Sequence, residues 1–445
     1  MNESSLRSHS TEIIRQLKQA GFDAYWVGGC VRDYLMNREP QDYDIATSAK
    51  PEQIEALFPH TVPVGKQFGV MLVIEEGHQF QVATFRAESD HHDGRRPTRV
   101  TFSDAIADAQ RRDFTINGLF YDPVSERLFD WVKGEADLRA RILRTIGTPT
   151  ERFAEDHLRL LRAVRLATQL DFEIEAATFA AIQANAEKIR TVSAERVRDE
   201  LIKLFHPPHA ARGLDLLCTS GLLEQIIPEL IPTIACEQSP GYHPEGTVYT
   251  HLLRMLARMP SDASPSLPWS ILCHDIAKPQ TSSRDSDTNT IHFYGHEKLG
   301  ATMAEAILHR LRFPRKQIEE IVACVLQHMQ FKDVTNMRKS TLRRLLLRPT
   351  FPLELELHRV DCLGSHGRLD HYQLLIREAE ELARQPGLTP SLITGEDLKA
   401  LGMKPGPAMG ALLKEIRDKQ LQGELIASQD ARNWARQMIK NANAS

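Results

Sequence analysis

The sequence predicts an α+β protein in which a small mixed unit of strands and helices opens the chain and helices make up the rest. Three observations carry that prediction. Short β-prone apolar runs crowd into residues 24–85. From Thr150 onward apolar residues recur at helical spacing. A glycine pair, Gly28-Gly29, precedes two aspartates that flank one tyrosine, Asp42-Tyr43-Asp44.

The elements follow in order. Ile13, Ile14 and Leu17 give residues 8–21 a helical stripe that stops at Gly21. Strands are predicted over 24–27, 43–45, 70–74 and 79–85, with a helix starting near Gly29. Leu158, Leu161, Val164 and Ala167 mark one later helix, and Val197, Leu201 and Leu204 another. The proline-bearing stretch 236–246 reads as a linker, and a histidine-rich helical block runs from His251 to about Asp370. A last helical segment is expected from near Thr389.

With 445 residues the chain exceeds one ordinary core. The expected division is a head over 1–145, a helical neck over 146–235, a histidine-bearing domain over 236–380 and a tail over 381–445. No apolar run is long enough for a membrane span, and the N-terminus lacks the apolar core of a signal peptide. The six cysteines show no CxxC pairing, which predicts free thiols in a reducing cytoplasm. A net charge of −4 means that any nucleic acid must be held by local basic patches.

Alternation along a strand puts Asp42 and Asp44 on one face. Two carboxylates so placed repel unless a divalent cation lies between them, and oxygen ligands suit Mg²⁺ together with substrate phosphates. The glycines let backbone N–H groups approach phosphate oxygens. The pattern fits two Mg²⁺ ions that activate an attacking ribose 3′-hydroxyl and neutralise a triphosphate. Pro-Gln-Asp-Tyr-Asp also fits a surface turn. Downstream, Arg111 and Arg112 can reach phosphates, and the Asp113 carboxylate can accept a ribose hydroxyl.

Asp156 and Arg159 are three apart, which predicts a shared helix face. Arginine only donates and ionised aspartate only accepts. Cytosine offers an amino donor beside acceptors N3 and O2, and adenine an amino donor beside N1. One Asp–Arg pair therefore matches C or A and opposes U and G. An ordinary i,i+3 ion pair remains the alternative.

These residues resemble the class II (bacterial-type) tRNA nucleotidyltransferases, a family that shares its head with the poly(A) polymerases. The resemblance rests on Gly28-Gly29-x-Val31-Arg32-Asp33, Asp42-x-Asp44, Arg111 to Asn117 and Glu155-Asp156-x-x-Arg159. Phe85-Arg86, Gly94-Arg95-Arg96-Pro97 and Glu195 to Leu201 extend it in order. It implies a polymerase-β-like head and untemplated addition of CCA to the tRNA 3′ end from CTP and ATP. It gives catalysis and magnesium to Asp42 and Asp44, and nucleotide binding to Gly28, Gly29, Arg32, Arg112, Asp113, Asn117, Asp156, Arg159 and Arg162. No obligatory protein partner is implied. Gln79-Phe80-Gln81 stands where relatives often carry an acid, so a third head carboxylate is not evident. Gly65-Lys66-Gln67-Phe68 departs from the Gly-Arg-Arg-Phe typical of poly(A) polymerases. Residues 87–94 keep a segment that CC-adding forms shorten, while addition of A alone fits the same residues.

His251, His274-Asp275, His296, His328 and Asp361 resemble the metal-binding pattern of HD phosphohydrolases. Imidazole with carboxylate suits a divalent transition metal. The family implies substrates such as phosphates at damaged tRNA ends. Packed structural histidines are the alternative. Gly-rich turns around Lys404, and the cluster Arg343, Arg344 and Arg348, are candidate tRNA contacts or plain structural features.

Overall fold

The computed structural model describes residues 3–91, 97–241, 243–384 and 391–444. The Gly94-Arg95-Arg96 stretch and Thr389 therefore lie outside the described residues. The chain forms two compact units, Met1–Ile231 and Pro232–Ser445.

The first unit opens with the helix Glu3–Gln19. Ile13, Ile14 and Leu17 are fully buried on the stripe that their spacing predicts. The strands of the head follow among the described residues: β1 Ala24–Val27, β2 Ile45–Thr47, β3 Thr61–Gly65, β4 Val70–Glu75, β5 His78–Thr84, β6 Arg86–His91, β7 Pro97–Phe102, β8 Phe120–Asp122 and β9 Arg127–Phe129, with a further short pair, Ile142–Leu143 and Glu173–Ile174, beyond them. Seven make one sheet in the order β3-β4-β5-β2-β1-β8-β9, and β6 and β7 form a separate hairpin. Within the sheet only β2 and β5 run parallel, with Ile45 opposite Val82. The central strands β1 and β2 are buried along most of their length, as their apolar composition requires.

The expected strand 43–45 begins two residues later. Asp42, Tyr43 and Asp44 are its lead-in, and the Asp44 carbonyl accepts the Val27 amide at 3.0 Å. Tyr43 turns inward against Trp26, ring centroids 4.8 Å apart. That contact anchors the segment from below, and such aromatic pairs add about 0.5–1.5 kcal/mol beyond area burial.

β1 ends at Gly28, which adopts φ 76° and turns the chain into the helix Gly29–Leu35. The left-handed conformation suits glycine. The turn Thr115–Asn117 is held by another close approach. Thr115 Oγ1 donates to Asp137 Oδ2 at 2.7 Å, and a Cβ on Gly134 would lie 2.1 Å from the Thr115 carbonyl oxygen.

Beyond the sheet, the helix Pro149–Glu155 is followed by Leu158–Leu170. Asp156 is not helical. It sits extended at the break, with φ −149° and ψ 107°, so the predicted shared helix face with Arg159 does not form. Leu158, Leu161, Val164 and Ala167 do face inward and pack toward Ala194–Leu204.

In the second unit, Val248–Leu256, Leu267–His274, His296–Arg310, Arg315–Gln327 and Phe351–Gly364 form the helical block. The stretch 236–246 is not a free linker. Gln238 N donates to the Gly246 carbonyl at 3.1 Å and Val248 N to the Cys236 carbonyl at 2.9 Å, folding the loop onto the block. The basic cluster is spent internally. Arg343 is buried and donates to the Leu421 carbonyl at 2.9 Å, Arg344 pairs with Asp418, and Arg348 meets Glu354 at 3.1 Å. The tail carries helices Gly395–Ala400, Pro407–Gln422 and Ser428–Ala444, the first opened by a Thr394/Asp397 capping box. All six cysteines are free thiols. Among the described residues no helix is long and apolar enough to cross a membrane.

Gly134→Ala should destabilise the first unit by about 1–3 kcal/mol, the range for overpacking. The backbone oxygen of Thr115 cannot swing aside as a side chain would. Urea unfolding of the full chain measures the loss.

Candidate functional site

A cleft of about 340 Å³ in the first unit is lined by Gly28, Gly29, Asp44, Arg112, Asp156 and Arg159, among others. Asp42 is exposed and Asp44 half-buried, with Tyr43 buried between them. Alternation thus leaves both carboxylates on the open side. Burial, then the charge of Asp42, push Asp44 up to about 6, with Arg112 opposing. A carboxylate raised in this way is a site that a cation would relieve. Gln81 is exposed, one residue before Val82, which stands opposite Ile45. An amide thus occupies the place beside Asp44 where a third acid would sit.

Gly28 admits Arg112, since a Cβ there would stand 3.1 Å from a guanidinium nitrogen; one on Gly29 would meet Arg32 at an ordinary 3.6 Å. Arg111 and Arg112 are both steered by Asp108, which is 1% exposed and accepts from Arg111 Nε at 2.8 Å and Arg112 at 3.0 Å. Burial alone would raise Asp108, but Arg112 and Arg111 hold it below the usual range. Sequence reasoning missed this residue. Its signal was an acid three and four positions before the arginine pair, the helical spacing for an ion pair.

Asp113 is buried and fully engaged. Oδ2 accepts from Arg162 Nε at 3.0 Å and from a terminal Arg162 nitrogen at 2.6 Å. Oδ1 accepts from Phe114 N at 2.9 Å and Asn117 Nδ2 at 3.2 Å. Asn117 Oδ1 in turn receives Arg32 at 2.9 Å. Burial pushes Asp113 up, but Arg162 outweighs it and holds the carboxyl far below its ordinary value. Arg162 is raised by the same partner.

Asp156 and Arg159 both line the cleft, though they do not pair with each other. Arg196 grips Asp156 with two hydrogen bonds, of 3.2 and 2.7 Å. Arg159 pairs with Glu155 and donates to the Arg152 carbonyl at 3.0 Å. Arg196 is the second residue that sequence reasoning gave no role, although it lies inside the Glu195–Leu201 motif.

In the second unit the predicted histidines and acids converge. His251 Nε2 lies 3.0 Å from Asp361 Oδ1. His274 Nε2 lies 3.1 Å from Asp275 Oδ2, and His296 Nε2 3.5 Å from Asp275 Oδ1. The ligand atoms of His251, His274 and Asp361 fall within 4.8 Å of one another, as do those of Asp275, His296 and His328. Lys278 holds Asp275 at 2.7 Å.

The ring geometry fits a metal. Nδ1 of His274, His296 and His328 contacts a backbone carbonyl, at Ile271, Phe293 and Val325, over 2.8, 2.6 and 2.6 Å. A carbonyl only accepts, so each Nδ1 carries a proton and Nε2 is the nitrogen each ring turns toward its neighbours. The Nε2 atoms of His296 and His328 meet across 3.2 Å. Burial pushes His328 down to about 3, so its Nε2 keeps a lone pair near neutral pH. A divalent cation would take that lone pair together with the Asp275 carboxylate.

Fold and cleft together define a nucleotidyltransferase head of the poly(A) polymerase type. Residues 24–144 match the Poly A polymerase head domain, 171–233 the probable RNA and SrmB-binding site of polymerase A, and 243–363 the HD domain. The chain is 32% identical to a CCA-adding enzyme of Levilactobacillus brevis over 418 residues, 93% of each chain. It is 35% identical to that of Bacillus licheniformis over 338 residues, 73% of this chain and 84% of the relative. The protein belongs to the CCA-adding enzyme family. Its structure resembles the Bacillus stearothermophilus CCA-adding enzyme solved with CTP, at TM-score 0.75 and 28% identity, covering 100% of this chain and 99% of that one. The Thermotoga maritima enzyme complexed with tRNA shares the fold at TM-score 0.60 and 17% identity, covering 97% and 95% of the two chains.

Arg162→Met strands the Asp113 carboxylate and should cost about 2 kcal/mol at neutral pH, as for a hydrogen bond to a charged group. Because the folded Asp113 value is depressed, its contribution is present above the unfolded value near ~3.9 and is lost as pH falls through the folded one. The stability gap between wild type and variant in urea melts should therefore narrow below about pH 4.

Proposed function

We propose that this chain adds CCA to tRNA 3′ ends from CTP and ATP without a nucleic-acid template. One observation carries the reading. Asp156, an acceptor, and Arg159, a donor, line the same cleft as Asp44 and the phosphate-facing Gly28, Gly29 and Arg112. The proposed layout is a head over 1–145, a neck over 146–235, an HD domain over 236–380 and a tail over 381–445. The cytoplasm is the proposed setting, supported by the free thiols.

In this reading Asp42 and Asp44 hold magnesium, which when bound supplies charge to the 3′-hydroxyl and the triphosphate. The chain's own groups do the rest. The Gly28–Gly29 turn, through the Gly29 amide, and the Arg112 guanidinium, fixed by Asp108, receive the phosphates. Arg32 and Asn117 shape the floor beneath them. Asp113 and Arg162 lock each other, so a ribose hydroxyl reaching Asp113 must share its oxygens with Arg162. Asp156, held by Arg196, accepts the amino group of C or A, and Arg159 donates to the ring nitrogen. Uracil and guanine set donor against donor or acceptor against acceptor, which leaves groups unpaired and costs binding.

Transcripts ending before CCA, after one C and after CC, each given CTP, ATP or both, test the reading. Extension confined to the CC end would assign addition of A alone, and a stop at CC would assign a CC-adding enzyme. Long A tails on any RNA would assign a poly(A) polymerase. Asp44→Ala should reduce incorporation by about 10³-fold or more, since a metal supplies several kcal/mol and each 1.36 is tenfold. Asp156→Ala should erode the preference for CTP over UTP more than it weakens triphosphate binding, measured by competition. Normal discrimination in that variant would remove Asp156 from base selection.

We further propose that the HD cluster holds divalent transition metal ions and hydrolyses phosphate esters at RNA ends. The convergence of the Asp275, His296 and His328 ligand atoms, with the two Nε2 atoms 3.2 Å apart, supports the metal. His251→Ala should abolish opening of an RNA 2′,3′-cyclic phosphate by water to the terminal monophosphate, and release of phosphate from that monoester by a second water, and leave nucleotide incorporation intact.

A further inference from the structure

The stretch 236–246 carries a residue whose burial the HD pattern does not explain. The Glu245 side chain is fully buried. Its Oε1 lies 2.9 Å from His243 Nδ1 and 2.7 Å from His251 Nδ1, the latter contact off the ideal hydrogen-bond line. Its Oε2 is buried with no hydrogen-bond partner among the described residues.

His251 differs from the other histidines of the cluster. His274, His296 and His328 each rest Nδ1 on a backbone carbonyl. His251 sits within the helix Val248–Leu256, where backbone carbonyls serve the helix, and no carbonyl partner for its Nδ1 is found among the described residues. Glu245 stands in that place. The helix Phe351–Gly364 packs against the ring, with the Gly364 backbone beside His251 Nδ1 and Cε1. The loop that brings Glu245 in is itself tied to the cluster. Gln238 accepts from Lys278 Nζ at 2.6 Å, and the same ammonium holds Asp275 at 2.7 Å.

We infer that Glu245 is a positioning residue for the metal held by His251, His274 and Asp361: it takes the Nδ1–H of His251 and leaves Nε2 as the ligand nitrogen beside Asp361. The inference rests on the reading that the HD cluster binds divalent cations. A carboxylate behind a ligating imidazole fixes the ring, selects the tautomer and raises the basicity of the ligand nitrogen. A third cation among His243, Glu245 and His251 would instead require the His251 ring to lose its last proton.

Cobalt(II) titration of the full-length, metal-stripped protein tests this, read by calorimetry and by the visible absorption of the bound ion. Wild type should fill two sites in the HD cluster, counted as the ions that remain when Asp42 and Asp44 are both replaced by Ala. Glu245→Met removes the acceptor while keeping the length of the side chain. It should weaken one site about 10–100-fold and leave the site of Asp275, His296 and His328 unchanged. Glu245→Gln keeps an acceptor and should restore most of the affinity. Thermal melting of the stripped variants controls for folding. Equal affinity of both sites in Glu245→Met and wild type would overturn the inference while sparing the metal reading. So would a parallel loss at both sites that follows a lowered melting temperature. A third cobalt ion in wild type that vanishes in Glu245→Met would also overturn it. Failure of wild type to bind any cobalt would remove both readings.

Discussion

The cleft of the first unit depends on acids that the protein sinks beneath its arginines. Asp108 holds Arg111 and Arg112, Asp113 holds Arg162, and Asp156 is held by Arg196. A free arginine carries about 2 kcal/mol of rotamer entropy. Pairing each guanidinium beforehand removes most of that loss from the moment a triphosphate arrives. It also keeps like charges apart in a space where they would otherwise repel. The same pairing makes the acids costly to strand, because a buried carboxylate without its partner loses hydration and gains nothing.

The second unit solves a different problem by a similar rule. Its imidazoles are fixed from behind, three by backbone carbonyls and one by Glu245, so that their other faces meet. Imidazole and carboxylate ligand atoms gathered this closely in a dry interior suit a cation between them. In both units the groups that would touch a ligand are set by groups that would not. Hydrogen bonds of the second kind decide whether a site is open or closed by its own residues.

Charge is spent locally rather than displayed. The cluster Arg343, Arg344 and Arg348 looks in sequence like a patch for a phosphate backbone, yet its members join a carbonyl and two acids of the same unit. Leu421, the partner of Arg343, lies 78 residues away, where no short window of sequence reveals it, while Glu354 lies only 6 positions from Arg348. Asp42 and Asp44 are the opposite case, left open because Tyr43 alone turns inward.

By itself the sequence determined the α+β class, the buried stripes of the helices, and the residue types of both sites. Periodicity and ligand chemistry are local, and local order survives in one dimension. Val197, Leu201 and Leu204 needed only their spacing to be placed in a core. Tertiary structure alone decided who pairs with whom. It broke the helix at Asp156 and gave that carboxylate to Arg196, forty positions on, and it folded 236–246 inward to put Glu245 behind His251. Such pairings follow from which surfaces meet after the chain collapses, and a carboxylate carries the same letter whether its partner is three residues away or forty.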